Sequence, residues 1–300
     1  MLPGVAFLEL YSYKKLEKIK TIPSHAALTP TSSLPSTATA SSSSQCSVPL
    51  TCDELRAKAG EYVAQCDVNE HRSIFTTNEQ TRRMNDEYFL ESGDKIRYFF
   101  EEHAFKEDHK TLAVPLDVAI NKIGHNLHNL IRYASEVKDI LKSLQYVRPM
   151  AVQSMYIFKQ PGIGGELLVH GASSVVGFWW ALEDCTLENG CLHGIPGSHL
   201  TVPVRQRLRR TTKEQQETNG GLLLENAPEK VDPFDISKSE PLLTKKGDLV
   251  LLHSSFVHYS EANRSPHSRH AYSIHVWRAT TWTTQQTTAA NDRKRAFQAN

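Results

Sequence analysis

Residues 247–276 decide the fold of this chain: GDLVLLHSSFVHYSEANRSPHSRHAYSIHV. A Gly-Asp turn at 247–248 leads into an apolar run at 249–252, and a second, mixed run begins at Arg269. Short apolar runs bounded by turn residues are typical of β-strands. The segment therefore predicts two strands, with His258 close behind the first and Arg269 at the start of the second.

Short apolar runs separated by Gly, Pro and Asn continue through the whole second half of the chain. We predict strands at 151–159, 174–182, 191–195, 248–253 and 271–277. Asn189-Gly190 lies between two of these runs and predicts a tight turn, because both residues tolerate positive φ. This half is therefore predicted to be rich in β-structure.

Two helices are predicted ahead of the strands. Thr51-Cys52-Asp53-Glu54 is a capping-box pattern, which satisfies the first free amides of a helix. We expect that helix to end near Cys66 and to bury Leu55, Ala59, Tyr62 and Val63. A second helix at 132–145 carries the apolar stripe Val137, Ile140, Leu141 and Leu144. Helices followed by strands predict a β-rich α+β fold, a barrel with a helical flank.

Composition predicts one folded domain with two tails. A chain of 300 residues, 39% of them apolar, is long enough to bury a sizeable core. Residues 28–48 are rich in Ser, Thr, Pro and Ala, a composition that buries too little apolar surface to offset chain ordering, and we predict that residues 1–48 are disordered. The folded domain is placed at 49–280, followed by a polar tail at 281–300.

Cysteine usage and hydropathy bear on the compartment. The cysteines lack zinc-ligand spacing and follow no convincing secretory signal, which predicts reduced thiols inside a cell. They are Cys46, Cys52, Cys66, Cys185 and Cys191. No apolar run reaches the roughly 18 residues of a membrane helix, so we expect no membrane span and a cytoplasmic location. Lys18-Ile19 with His25-Ala26 loosely resembles a peroxisomal N-terminal address, which keeps the peroxisome as the alternative.

Charge gives little information on partners, since the net charge is +1. The basic stretch at 205–213 is interpreted as a solvated loop, with contact to the phosphates of a coenzyme A thioester as the alternative. It is too short and too poor in aromatic residues to indicate nucleic-acid binding. No feature indicates a particular protein partner.

One histidine of the opening segment has the position of an iron ligand, and one arginine is suited to bind a co-substrate that carries carboxylates. Iron(II) oxygenases commonly hold the metal with two imidazoles and one carboxylate, arranged as His-x-Asp and a distant His. His258 has the distant position, and Arg269 can bind a dicarboxylate through a two-pronged contact. The upstream triplet His170-Gly171-Ala172 has alanine where the carboxylate is needed. Spacing alone leaves His258 open as an ordinary barrel residue, because histidines also occur at 253, 267, 270 and 275.

Several longer blocks occur in one order along the chain. They are SGDKIR (92–97), INKIGH (120–125), QSMYIF (153–158), FKQP (158–161), LENGCL (187–192), IPGSH (195–199) and the stretch from His258 to Arg269. Together they resemble the phytanoyl-CoA dioxygenase family over residues 50–280, with more specificity than any short motif. The resemblance implies a double-stranded β-helix, also called a jelly roll or cupin-like barrel. It also implies Fe(II), 2-oxoglutarate and O2, with a small-molecule substrate for which acyl-CoA is one candidate.

The resemblance also implies roles for individual residues. His258 matches the distal iron ligand, and Arg269 matches the residue that binds the far carboxylate of 2-oxoglutarate. Lys122, Met155 and Trp179 match positions that line the co-substrate pocket. His170 matches the first iron ligand if the absent residues follow it. From the residues alone, Lys122 is also compatible with a solvated loop, and Met155 and Trp179 with plain core.

The chain departs from the family between Glu166 and Gly177, where the family has a longer segment that carries His-x-Asp. Two explanations are open. One is a gene-model or splicing defect, and the other is a real protein that no longer holds iron. We favour the gene-model or splicing defect, because a protein that has lost catalysis and only binds a ligand has no need of both His258 and Arg269. The predicted function is an Fe(II)/2-oxoglutarate-dependent dioxygenase that hydroxylates a small-molecule or acyl-type substrate. The alternatives are an inactive relative that binds 2-oxoglutarate or a lipid-like ligand, and a cupin-type zinc or nickel protein.

Overall fold

The structure, a computed structural model, describes most of the central part of the chain. The described residues are 51–70, 73–74, 88, 91–101, 103–108, 110–130, 135–164, 166–168, 175–201, 206–210, 222–226 and 235–278. The predicted tails at 1–48 and 281–300, and His170 with Ala172, lie outside them. The basic stretch predicted at 205–213 is described only at 206–210, where it forms a strand.

Twelve strands form three antiparallel sheets in the part of the chain that the structure describes. They are β1 (Ile96–Phe100), β2 (Ile120–His125), β3 (Pro149–Ile157), β4 (Glu166–Leu168), β5 (Val175–Ala181), β6 (Leu192–Gly194), β7 (Gln206–Arg210), β8 (Leu222–Asn226), β9 (Glu240–Leu242), β10 (Leu249–His253), β11 (His258–Ser260) and β12 (Ala271–Arg278). The large sheet has the order β1-β2-β3-β12-β5-β10, the small sheet has the order β4-β11-β6-β9, and β7 pairs with β8. The five predicted strands are all present, within one or two residues of their predicted ends.

The helices are α1 (Cys52–Ala64), α2 (Leu116–Ala119), α3 (Ser135–Ser143) and α4 (Ser198–Thr201). Short 3-10 helices occupy Glu91–Asp94, His128–Leu130 and Ile236–Lys238. The predicted capping box of α1 is confirmed. The Glu54 amide donates to Thr51 Oγ1 at 3.3 Å, and the Thr51 amide donates to Glu54 Oε2 at 2.6 Å. Both orphan amides at this helix end are thereby satisfied.

Helices α1 and α3 cover one face of the large sheet. Leu55 and Ala59 of α1, with three predicted stripe residues of α3, enter a hydrophobic cluster with the outer side chains of the sheet. The α3 residues are Val137, Ile140 and Leu141, whereas Tyr62, Val63 and Leu144 pack at the cluster's edge. This burial, more than helix propensity, is what stabilises such short helices.

The opposite face of the large sheet contacts the small sheet. A second hydrophobic cluster contains Trp179, Val250 and Ala271 from the large sheet and Leu192 from β6. Trp180, by contrast, belongs to the cluster under the helices, as expected for alternating side chains on a strand. We call the side of the large sheet that carries Trp179 the inner face.

The sheet-rich, antiparallel part of the fold prediction is confirmed. The jelly-roll barrel is not, because the strands that the structure describes form separate sheets with no pairing that closes a barrel. Among the helices in the described ranges, none is both long and apolar enough to cross a bilayer. Cys52, Cys66, Cys185 and Cys191 are free thiols, and burial raises the pKa of Cys66 to about 12.

The Asn189-Gly190 turn is present, with Gly190 at φ +75°. An added Cβ at Gly190 would lie 2.4 Å from the Glu261 carbonyl oxygen, so only glycine fits. The turn does not make a hairpin, since it leads from β5 in the large sheet to β6 in the small one.

Two glycines provide a matched test of the packing between the sheets. A Cβ at Gly194 on β6 would lie 2.3 Å from Cζ of the buried Phe256 ring, whereas a Cβ at Gly60 in α1 would contact nothing within 4 Å. We expect Gly194→Ala to lower the free energy of unfolding by about 1–3 kcal/mol through overpacking. Gly60→Ala should raise it by about 0.5–1 kcal/mol through helix propensity. Denaturant unfolding of both variants checks the pair, and equal signs would contradict this account.

Candidate functional site

The register of the large sheet places the predicted pocket residues on one face. Gly124, Met155, Ser273, Trp179 and Val250 lie directly opposite one another across β2, β3, β12, β5 and β10. Directly opposed residues of antiparallel strands project to the same side. Met155 and Trp179 therefore share the inner face with Ser273.

Lys122 lies in the next row of the same face. It is opposite Ile157, which is opposite Ala271 and then Ala181. This row is two residues along each strand from the first, so its side chains also point inward. Lys122 is only 6% exposed, which excludes the solvated-loop interpretation. The structure thus places Lys122, Met155 and Trp179 on one face of the large sheet.

Arg269 continues the inner face just before β12 begins. The residue is 2% exposed, and its guanidinium carbon lies 5.5 Å from the centre of the Trp179 ring. The aromatic face and the buried surroundings favour a cation that is only weakly hydrated, as guanidinium is. A buried guanidinium with N–H donors in a fixed fork is suited to bind a carboxylate in a two-pronged manner.

Glu183 binds the residues on both sides of Arg269. Its carboxylate accepts hydrogen bonds from the Ser268 hydroxyl and the His270 amide, both at 2.8 Å, and pairs with Arg56 of α1 at 2.8 Å. Burial acts to raise the pKa of Glu183, but these hydrogen bonds and the neighbouring cations hold that pKa below its ordinary value. The first helix and the end of β5 are therefore tied to the arginine segment.

Lys159 is a second junction, and sequence reasoning did not single it out. The residue is 4% exposed; its carbonyl accepts the Arg269 amide at 3.0 Å and the Asn263 side-chain amide at 3.0 Å. Its ammonium donates to the Gly164 carbonyl at 2.7 Å and the Ser260 hydroxyl at 3.1 Å. The only sequence signal was its place in the FKQP block. Lys159 connects the arginine segment to the strand that carries His258.

His258 lies on β11 of the small sheet, with Ser260 on the same side of that strand. It is 3% exposed, and its Nδ1 lies 2.8 Å from the Phe256 carbonyl oxygen. A proton on Nδ1, donated to that carbonyl, leaves the lone pair on Nε2. This is the arrangement that metal-binding histidines commonly use. The Phe256 ring lies nearly parallel to the imidazole, with 6.1 Å between ring centres.

The fit of an iron ion to these residues is incomplete. His258 has the right chemistry, and His170 lies outside the described residues. Among the residues that are described, no three His, Cys, Asp or Glu side chains come together as a metal site. Ala172 offers no donor where the family pattern has a carboxylate. The described residues therefore do not form a complete iron site.

The remaining clustered histidines do not gather around His258. His253 lies opposite Val176 on the helix-covered face, and its Nδ1 accepts the Ser255 amide at 3.1 Å. His270 Nδ1 forms a hydrogen bond with the Tyr156 hydroxyl at 2.8 Å, and His267 is exposed. His275 does share the inner face and lies 3.3 Å from Gln153 Oε1. A zinc or nickel site built from these five residues has no support in this geometry.

Buried imidazoles predict a loss of stability in mild acid. Burial, and then the nearby His199, lower the pKa of His253 to about 4, from an ordinary value of 6.5. The folded protein therefore binds fewer protons than the unfolded chain between these values, so stability falls as pH drops through this window. We expect denaturant unfolding to show a rising midpoint from pH 4 to 6.5, and His253→Asn to flatten that slope. An unchanged slope in the variant would contradict this assignment.

Comparison with known proteins gives one family. The model of the family Phytanoyl-CoA dioxygenase (PhyH) matches residues 44–271. Phytanoyl-CoA dioxygenase domain-containing protein 1 homolog of Caenorhabditis elegans is 42% identical over 252 residues, 78% of this chain and 85% of its own. Phytanoyl-CoA dioxygenase of Arabidopsis thaliana is 42% identical over 236 residues, 74% of this chain and 78% of its own. The solved structure of AviO1 from Streptomyces viridochromogenes Tue57 has a TM-score of 0.45 at 17% identity, covering 80% of this chain and 89% of AviO1.

Proposed function

The chain belongs to the phytanoyl-CoA dioxygenase family, and from that premise we propose that it is a 2-oxoglutarate-dependent dioxygenase that hydroxylates a small-molecule or acyl-type substrate. The observation that supports this most is the buried Arg269 guanidinium beside Trp179, on the face that also carries Lys122. Fe(II) and O2 are the further reactants that the family pattern implies.

Binding of 2-oxoglutarate follows from charge and shape. The co-substrate is a dianion with a carboxylate at each end, and Arg269 would hold the far one through two parallel N–H···O contacts. Lys122 adds a second cation on the same face, one row along the strands and three strands across the sheet from Trp179. Both cations are buried, where charge attraction is stronger than in water. Met155 and Trp179 would exclude water from the aliphatic part of the ligand.

The metal half of the site limits what this exact chain can do. Fe(II) would supply the oxygen chemistry when bound, and His258 and His170 are the imidazoles proposed to hold it. Two neutral imidazoles do not compensate the charge of the ion. Without a carboxylate, the site also lacks one of its three protein ligands. A second candidate function, binding of 2-oxoglutarate without turnover, is therefore favoured by Ala172. Sequencing the transcript across codons 165–177 separates the two, since extra in-frame codons with His-x-Asp would support the dioxygenase.

Removal of the proposed carboxylate anchor should weaken co-substrate binding. We expect Arg269→Ala to reduce the affinity for 2-oxoglutarate by one to two orders of magnitude, on the scale of a lost charged hydrogen-bond pair of roughly 1.5–3 kcal/mol. Isothermal titration calorimetry measures this. Arg264→Ala is the matched control, because Arg264 is an exposed arginine of the same segment. Equal affinities of the two variants would count against the anchor.

Restoring the carboxylate should restore metal affinity. Ala172→Asp recreates His-x-Asp after His170, and we expect its affinity for Fe(II) to exceed that of the parent chain roughly tenfold or more, since even supporting residues of metal sites contribute that much. Ala172→Asn is the control of equal size without the charge. Metal titration and succinate formation from 2-oxoglutarate measure the two consequences. No gain of Ala172→Asp over Ala172→Asn would reject residue 172 as the site of the missing ligand.

A further inference from the structure

The hydroxyl of Ser273 is buried on the inner face of the large sheet. Ser273 is 4% exposed, and no hydrogen-bond partner for its Oγ occurs among the residues that the structure describes. A buried hydroxyl without a partner has lost its hydration and gained nothing in return. Such groups are uncommon in native proteins, and each needs a physical explanation.

The position of Ser273 suggests what its partner is. It lies on central strand β12, with Met155 opposite on β3 and Trp179 opposite on β5, all on the inner face. Arg269 precedes it by four residues, about 13 Å along an extended strand. The guanidinium carbon of Arg269 lies 5.5 Å from the centre of the Trp179 ring, and Trp179 is the residue paired with Ser273 on β5. Trp179 thus neighbours both the arginine and the serine on the inner face.

A neighbouring serine shows the contrast. Ser154 on β3 is also buried, but it lies opposite Ile274 and so points to the helix-covered face. Its Oγ accepts the Leu127 amide at 2.7 Å. Ser154 thus has a structural hydrogen bond within the fold, whereas the Ser273 hydroxyl is directed to the side where a ligand is expected.

We propose that Ser273 is a co-substrate-binding residue whose hydroxyl donates a hydrogen bond to the carboxylate of 2-oxoglutarate that Arg269 anchors. This inference rests on the proposed function. A serine hydroxyl has one proton to donate, and a carboxylate is a strong acceptor for it. The ligand-free protein then carries the cost of a desolvated hydroxyl, and binding removes that cost.

The inference predicts opposite effects on binding and on stability. Ser273→Ala deletes the hydroxyl, so calorimetric affinity for 2-oxoglutarate should fall about tenfold, which corresponds to about 1.4 kcal/mol. The melting temperature of the ligand-free variant should stay the same or rise, because an unsatisfied polar atom is removed. The control Ser154→Ala should lower the melting temperature and leave the affinity unchanged.

A double variant tests whether both residues bind one carboxylate. The loss of affinity in Arg269→Ala with Ser273→Ala should be smaller than the sum of the two single losses, since both variants disturb the same contact. Additive losses, an unchanged affinity of Ser273→Ala, or a lower melting temperature of that variant would each overturn the inference and leave the proposed function standing. Failure of the unmodified chain to bind 2-oxoglutarate would overturn both.

Discussion

Strand β12 lies between β3 and β5, and its register with them decides which side chains reach the inner face. Ser273 is paired with Met155 on one side and with Trp179 on the other. Because side chains alternate along a strand, a slip of one residue would turn Ser273 to the helices and replace it by a bulky apolar neighbour. Tyr272 and Ile274, which bracket it, belong to the cluster under the helices. Burial of that cluster therefore sets the register that the candidate site requires.

The segment before β12 is held by contacts from distant parts of the chain. The Lys159 carbonyl binds the Arg269 amide, while Glu183 binds the residues on either side of the arginine. A long side chain in a mobile loop would lose much of its rotamer freedom on binding a ligand. Holding the Ser268 hydroxyl and the backbone amides of Arg269 and His270 reduces that cost in advance. Preorganisation of this kind explains why so many polar contacts converge on a segment with no regular structure.

The sequence was informative where structure depends on neighbouring residues. The capping box at Thr51 predicted the start of the first helix, and apolar periodicity predicted five strands. The order of strands in the sheets was not predictable in this way, because each pairing depends on residues far apart in the chain. Lys159 and Arg269 are 110 positions apart. Met155, Trp179 and Lys122 came from family resemblance, and periodicity alone would have left them as core or surface residues.

The two halves of the candidate site belong to different sheets, which explains how one can persist while the other is incomplete. Arg269, Trp179 and Lys122 belong to the inner face of the large sheet, whereas His258 is on β11 of the small sheet. The position of the expected carboxylate, residue 172, lies between β4, which pairs with β11, and β5, which pairs with β10 and β12. A change of length in a connection alters neither register, since pairing is set by the strands themselves. The inner face is thus compatible with an altered connection between β4 and β5, and a change there requires no rearrangement of the large sheet.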